Sequence, residues 1–214
     1  MKEQIIVLIT LVSTTVLPTF ATASAGKPVS VLVEQKTEIL AEHELDLTNR
    51  LPVEYGSQVF ADNILLSLHY LKGDVEQPLD WDKIREPFEV SFTLKPGEVF
   101  AFHSNSLPEF ENPAMTMNSR FFMEEGYKSL AGLGGNGVCH LVSLINWTAS
   151  EAGLEVTALA NHSFAPIPGV PREFGTSIRS QSPNQNLYIK NGFEVPVEFE
   201  FGADSQKVVL KITK

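Results

Sequence analysis

The chain has 214 residues, with 16 Lys and Arg against 26 Asp and Glu, a formal net charge of −10 and 43% apolar residues. These are the proportions of a globular protein, not of a disordered or fibrous one. The acid excess argues against non-specific nucleic-acid binding or adsorption to anionic lipid, both of which need a basic surface. The single cysteine excludes an intrachain disulfide and a four-cysteine zinc site.

In chain order, Met1-Lys2-Glu3 precedes the apolar run 5–12, then Leu17-Pro18 and the small-x-small site Ala23-Ser24-Ala25. A charged start, a short apolar run and a small-residue site predict a secretory leader over 1–25. The run falls short of the ~20 residues needed to span a bilayer, so the mature protein is expected to be secreted, periplasmic or at the cell surface, without a membrane span. Residues 26–56 read as an N-terminal extension. Its Val29-Val31-Val33 alternation predicts a strand, and the acid-rich stretch 34–48 is compatible with a helix or a solvated connection.

From Ser57 the pattern sharpens. Val59, Ile64, Leu65, Leu68 and Leu71 fall near helical spacing, and Gly73 stops the run. Val90-Phe92-Leu94, the turn Pro96-Gly97 and Val99-Phe100-Phe102 predict strand, turn, strand. Residues 103–119 read as a surface loop. Met115, Met117 and Met123 are read as gap-filling side chains in preference to a copper site.

The stretch 131–137 is the most glycine-dense of the chain and opens an amphipathic helix with apolar residues at 138, 141, 142, 145, 149 and 152, stopped by Gly153. A strand over 154–159 leads to Asn161-His162-Ser163, then to a Pro-rich connection. Leu187–Lys190, Asn191-Gly192 and the alternating Val195-Val197-Phe199-Phe201 predict a C-terminal hairpin, and Val208-Leu210-Ile212 a last strand. The expected fold is α+β: a mixed or antiparallel sheet with a Cys-bearing helix packed on it.

The chemistry concentrates at that helix start. A glycine loop directs backbone N–H groups at what lies above the first turn, and the helix N-terminus favours anions. Cys139 there is expected to be a stabilised thiolate nucleophile, with Gly134, Gly135 and Gly137 contributing oxyanion or ligand contacts. A strand antiparallel to the helix returns His162 to the same end, so a Cys139–His162 pair is geometrically allowed. Glu173, Asn161 or Asn184 could orient the imidazole. Cys139, Ser143, Asn146 and Ser150 form a polar stripe, with Ser143 and Asn146 as candidate binding residues. The bland readings stand beside these: an inert small thiol, a structural histidine and a solvated Arg172 and Arg179. His140 lies about 100° around the helix from Cys139, so no shared metal is expected. The loop lacks the Lys-Ser/Thr of a phosphate loop, and no cofactor is read.

These residues resemble a known family. Leu133-Gly134-Gly135-Asn136-Gly137-Val138-Cys139, then Asn146, then Ala152-Gly153-Leu154-Glu155-Val156 and His162-Ser163, are similar to the core signature of the VanW-like family. Asn63-Ile64, Pro96-Gly97-Glu98-Val99-Phe100, Glu125-Gly126-Tyr127 and Lys190-Asn191 resemble its flanks, so the likeness covers roughly 57–214. His140 departs from a family Gln, Asn136 interrupts the glycine run, and Arg172-Glu173 only loosely echoes a family Arg-Asp. The resemblance implies a bacterial exported or tethered protein with an accessory or binding role at peptidoglycan or another cell-wall component. A binding groove would then use Tyr127, Trp147 and Arg172. The residues themselves leave open a cysteine-dependent acyl-transfer or hydrolytic enzyme.

Overall fold

A computed structural model describes residues 37–214. The expected leader and the strand read at 29–33 lie outside the described residues. In order come β1 (Ile39–Asp46), α1 (Glu54–Lys72), the single-turn α2 (Trp81–Ile84), β2 (Phe88–Leu94), β3 (Val99–Ala101), β4 (Ser129–Leu130), β5 (Leu133–Gly134), α3 (Val138–Glu151), β6 (Glu155–Ala158), β7 (Leu187–Lys190), β8 (Val197–Ala203) and β9 (Lys207–Thr213). They form an antiparallel four-stranded sheet β1-β9-β8-β2, a three-stranded sheet β3-β7-β6 and the small pair β4-β5. The fold is α+β, with the Cys-bearing helix on the sheet, as the sequence leads one to expect.

The strand pattern has a direct cause. Val197, Phe199 and Phe201 of β8 and Val208, Leu210 and Ile212 of β9 are buried, while Glu198 and Glu200 point to the other face. Phe92 sits opposite Phe199 in register and stacks on it at 4.7 Å, and on Phe100 at 5.2 Å. This apolar face receives the helices: α3 lies on β1 and β9, α1 on β2, and the helices pack on each other. Among the described residues no helix is long and apolar enough to cross a membrane.

Two local readings change. The stretch 34–48 is neither helix nor loose connection over its described part: β1 is an edge strand paired with β9. Its inward positions include His43, which stacks on Trp147 of α3 at 3.5 Å, and this polar choice hides the alternation. Residues 39–56 therefore pack on the domain rather than trailing from it. The C-terminal hairpin exists, but it joins β8 to β9 and does not turn at Asn191-Gly192. There the chain passes from one sheet to the other, alongside the turn between β2 and β3. Asn191 is buried at this corner. Its N–H donates to Glu98 O (3.0 Å), its carbonyl accepts from Gly97 N–H (2.8 Å), and its side-chain amide donates to Leu94 O (2.8 Å) and Val195 O (2.9 Å). One long strand pair is thus bent into two sheets.

The excursion 103–119 runs beside β3, with Ala101 N–H donating to Met115 O and Met117 N–H to Phe102 O. Met117 is fully buried in the core, in keeping with a gap-filling role.

Candidate functional site

The glycine loop rests directly on α1. Gly137, the residue before α3, has φ +96°, and a Cβ there would lie 2.6 Å from Phe60 O. Asn63 of α1 clamps the loop: its amide donates to Lys128 O (3.0 Å) and Asn136 O (2.9 Å), and its Oδ1 accepts from Lys128 N–H (2.7 Å). Asn136, the residue that interrupts the glycine run, accepts from Leu130 N–H at 2.8 Å and closes the turn. Val138 N–H donates to Gly135 O (3.1 Å) and His140 N–H to Gly137 O (2.8 Å). Part of the donor array expected to face a ligand is therefore engaged within the loop.

Cys139 is partly exposed. Its Sγ accepts a hydrogen bond from Ile178 N–H at 3.4 Å. Burial pushes the thiol up, the Ile178 N–H pulls it down, and burial prevails. The resting sulfur is a protonated thiol, contrary to the thiolate expected from the helix start alone.

His162 is 9% exposed and follows β6. Its N–H donates to Gly175 O (2.9 Å), and its ring Nδ1 lies 3.0 Å from Ala165 O. A carbonyl only accepts, so Nδ1 donates this bond, and in the neutral ring Nε2 is the nitrogen that bears the lone pair. The orienting partner is thus a backbone carbonyl. Glu173 is exposed, Asn161 donates weakly to Arg172 O at 3.5 Å, and Asn184 is exposed.

Cys139, His140, His162 and the loop glycines Gly134, Gly135 and Gly137 line one cavity of about 820 Å³. The structure brings these sequence-selected residues together. Others lie elsewhere. Ser143 Oγ donates to Cys139 O (2.7 Å) and accepts from Thr176 N–H (2.8 Å), while Asn146 donates to Phe174 O (3.0 Å) and Thr176 Oγ1 (2.9 Å). The polar stripe of α3 is therefore covered by the segment 174–176. Arg172 is exposed and donates to Ser163 O at 3.2 Å. Tyr127 is buried against Ser67, and Trp147 donates to Glu151. None of these five lines the cavity. Sequence reasoning missed Phe164, an exposed ring lining the cavity 4.0 Å from that of His162, and Arg50, which comes from the segment before α1. No periodicity marks a residue that chain folding alone carries to a cleft.

His140 is 5% exposed, and its ring stands edge-on to that of His162 at 6.1 Å. Burial, then the charge of Arg50, then His162, push it down to about 3. The unfolded chain titrates near 6.5, so it binds the proton first as pH falls, and stability is lost from about pH 6.5 downward at up to ~1.4 kcal/mol per unit. Urea denaturation across that range is expected to show this slope, and His140→Gln to flatten it. An unchanged slope in the variant would mean that the imidazole is not held neutral.

Among the described residues no group of three or more His, Cys, Asp or Glu is gathered so as to hold a metal ion. No curated protein and no solved structure matches the chain. The family model described as VanW like protein matches residues 90–213, a span that includes the glycine loop, Cys139 and His162 and more than half of the sequence, and the chain belongs to that family.

Proposed function

We propose that the protein is an exported bacterial cell-envelope enzyme that acts on peptidoglycan, with Cys139 as nucleophile and His162 as base in acyl transfer or hydrolysis. The observation that carries this reading is that a thiol at a helix start and an imidazole with a free Nε2 line the same cavity. Because the resting thiol is protonated, a base is required. Nε2 of His162 takes the thiol proton, the sulfur attacks an amide carbonyl and a thioester forms. The amine departs with the proton from His162. Water or a second amine then releases the acyl group. The two side chains share no hydrogen bond at rest, so they close together on substrate. Export rests on the leader pattern at 1–25.

Incubation with purified peptidoglycan, followed by mass spectrometry of the released or exchanged muropeptides, is expected to show product with the native protein and a loss of at least about a hundredfold with Cys139→Ala or His162→Ala. One observation favours the alternative of a non-catalytic binding module: burial holds the sulfur neutral and Ile178 N–H occupies it. That module is the answer if the native protein forms no product and Cys139→Ser still sediments with sacculi.

A further inference from the structure

Arg50 is 2% exposed, and it lines the cavity with Cys139 and His140. Its Nη1 donates to Pro168 O at 3.0 Å and its Nη2 to Asn49 Oδ1 at 2.9 Å, both neutral acceptors. Its Nε is buried and has no partner, and neither has Nδ1 of His140. Among the described residues no carboxylate lies within ion-pair distance of Arg50. The charge of Asp46 acts on it only from beyond that distance, and burial outweighs it. A buried cation with no counter-ion in contact costs several kcal/mol, and an orphaned buried donor adds about 1–3 kcal/mol. Folding tolerates this where a ligand supplies what is missing.

The charge around it points the same way. The chain carries 26 acidic against 16 basic residues, yet the charged residues lining this cavity are Arg50, Arg120, Arg179 and one acid, Glu124. Exposed Phe164 and Met123, 75% and 57% exposed, give its rim apolar surface. Arg50 lies outside the span that matches the family, so this part of the cleft comes from the chain's own N-terminal segment.

We propose that Arg50, with the imidazole of His140, is a carboxylate-recognition site in the Cys139 cavity, and that the ligand is a peptide bearing a free carboxylate. This rests on the peptidoglycan reading above and names the substrate feature that orients the chain being cut or joined. A guanidinium offers a fork of N–H donors that matches a carboxylate, and the unpartnered Nε–H supplies one of them. Phe164 and Met123 at the rim take the flanking aliphatic groups.

The test uses the Cys139→Ser protein, so that binding is read without turnover. Thermal shift and calorimetry are run with N-acetyl-alanylalanine, with its C-terminal amide, and with N-acetylglutamic acid α-amide, whose sole carboxylate is on the side chain. At least one acid is expected to bind about tenfold or more tighter than the neutral amide. Adding Arg50→Met is expected to abolish that preference without lowering the melting temperature, since an apolar side chain replaces a buried charge that has no ion-pair contact. Adding Arg50→Lys is expected to weaken it, since the charge remains and the fork is lost. Which acid binds separates a terminal from a side-chain carboxylate. Equal behaviour of acids and amide, binding or not, overturns the proposal, as does a preference that survives Arg50→Met. An acid preference with no product from the native protein removes the enzyme and leaves the recognition site standing. Product formed without any acid preference does the reverse.

Discussion

Replacing Asp62 with alanine is expected to cost the fold about 3 kcal/mol, near the lower end for a broken buried ion pair. Asp62 is fully buried in α1. Arg85 grips it with two bonds of 2.9 Å, Lys128 caps the second oxygen, and Gln58 donates to the first at 2.9 Å. Burial pushes the carboxyl up, but the hydrogen bonds and charges of Arg85 and Lys128 outweigh it and hold it below the usual carboxylate range. Both cations are about a third exposed, so they rehydrate in part when Asp62 goes, which sets the low end of the range. The effect should reach the cleft, because Lys128 is the residue whose backbone Asn63 clamps. Urea denaturation of Asp62→Ala and Arg85→Ala, with the double variant, should give a coupling well above that of the exposed pair Lys207–Glu44, which is worth about 0.5 kcal/mol. A coupling no larger than that would mean the cluster adds nothing.

Gly137→Ala is expected to cost about 3 kcal/mol or more and to disturb the start of α3. Two penalties add here. A positive φ is unfavourable for alanine by roughly 1–2 kcal/mol. The new Cβ would also meet Phe60 O at 2.6 Å and Phe60 Cα at 2.8 Å, both backbone atoms of α1 that cannot swing aside. Gly132, in the same loop with φ +81°, has nothing within 4 Å of its Cβ position, so Gly132→Ala should show the φ penalty alone, about 1 kcal/mol. The pair of variants separates conformational freedom from close approach. For a domain of this size 3 kcal/mol corresponds to roughly 10 °C in melting temperature. Iodoacetamide should label Cys139 faster in Gly137→Ala and unchanged in Gly132→Ala. Equal melting shifts in the two would refute the contact argument.

What the sequence discloses here follows from how each side chain is used. β2, β8 and β9 bury one face each, so their alternation is legible; α1 and α3 are buried over most of their surface, yet their polar positions, held by hydrogen bonds, still leave the apolar spacing visible, and Gly73 and Gly153 mark the helix ends. β1 is not, because an edge strand that offers His43 to Trp147 looks polar on both faces. The sheet corner is hidden because Asn191-Gly192 has the composition of a hairpin turn, and only the partners of the Asn191 amide distinguish a corner from a turn. At the site, Cys139, His162 and the glycines are visible as local signals of chemistry. The stripe Ser143-Asn146 signals equally and is structural, since a backbone segment without a ladder of its own has to be satisfied by side chains. Arg50 carries no signal, because its meaning is burial without a counter-ion, and burial belongs to the fold.

Cys139 and His162 are joined by a ladder. Ser143 Oγ reaches the Cys139 carbonyl, Thr176 N–H reaches Ser143 Oγ, and the carbonyl of Gly175, the preceding residue, holds the His162 N–H. The relative position of the two backbones is therefore inherited from a helix packed in the core. Such a frame divides the labour of diversification. Under the proposed chemistry the two backbones stay in step as one frame, so only side-chain rotation has to bring sulfur and imidazole together, and Phe164 and Met123, which take no part in these bonds, can be exchanged without resetting it.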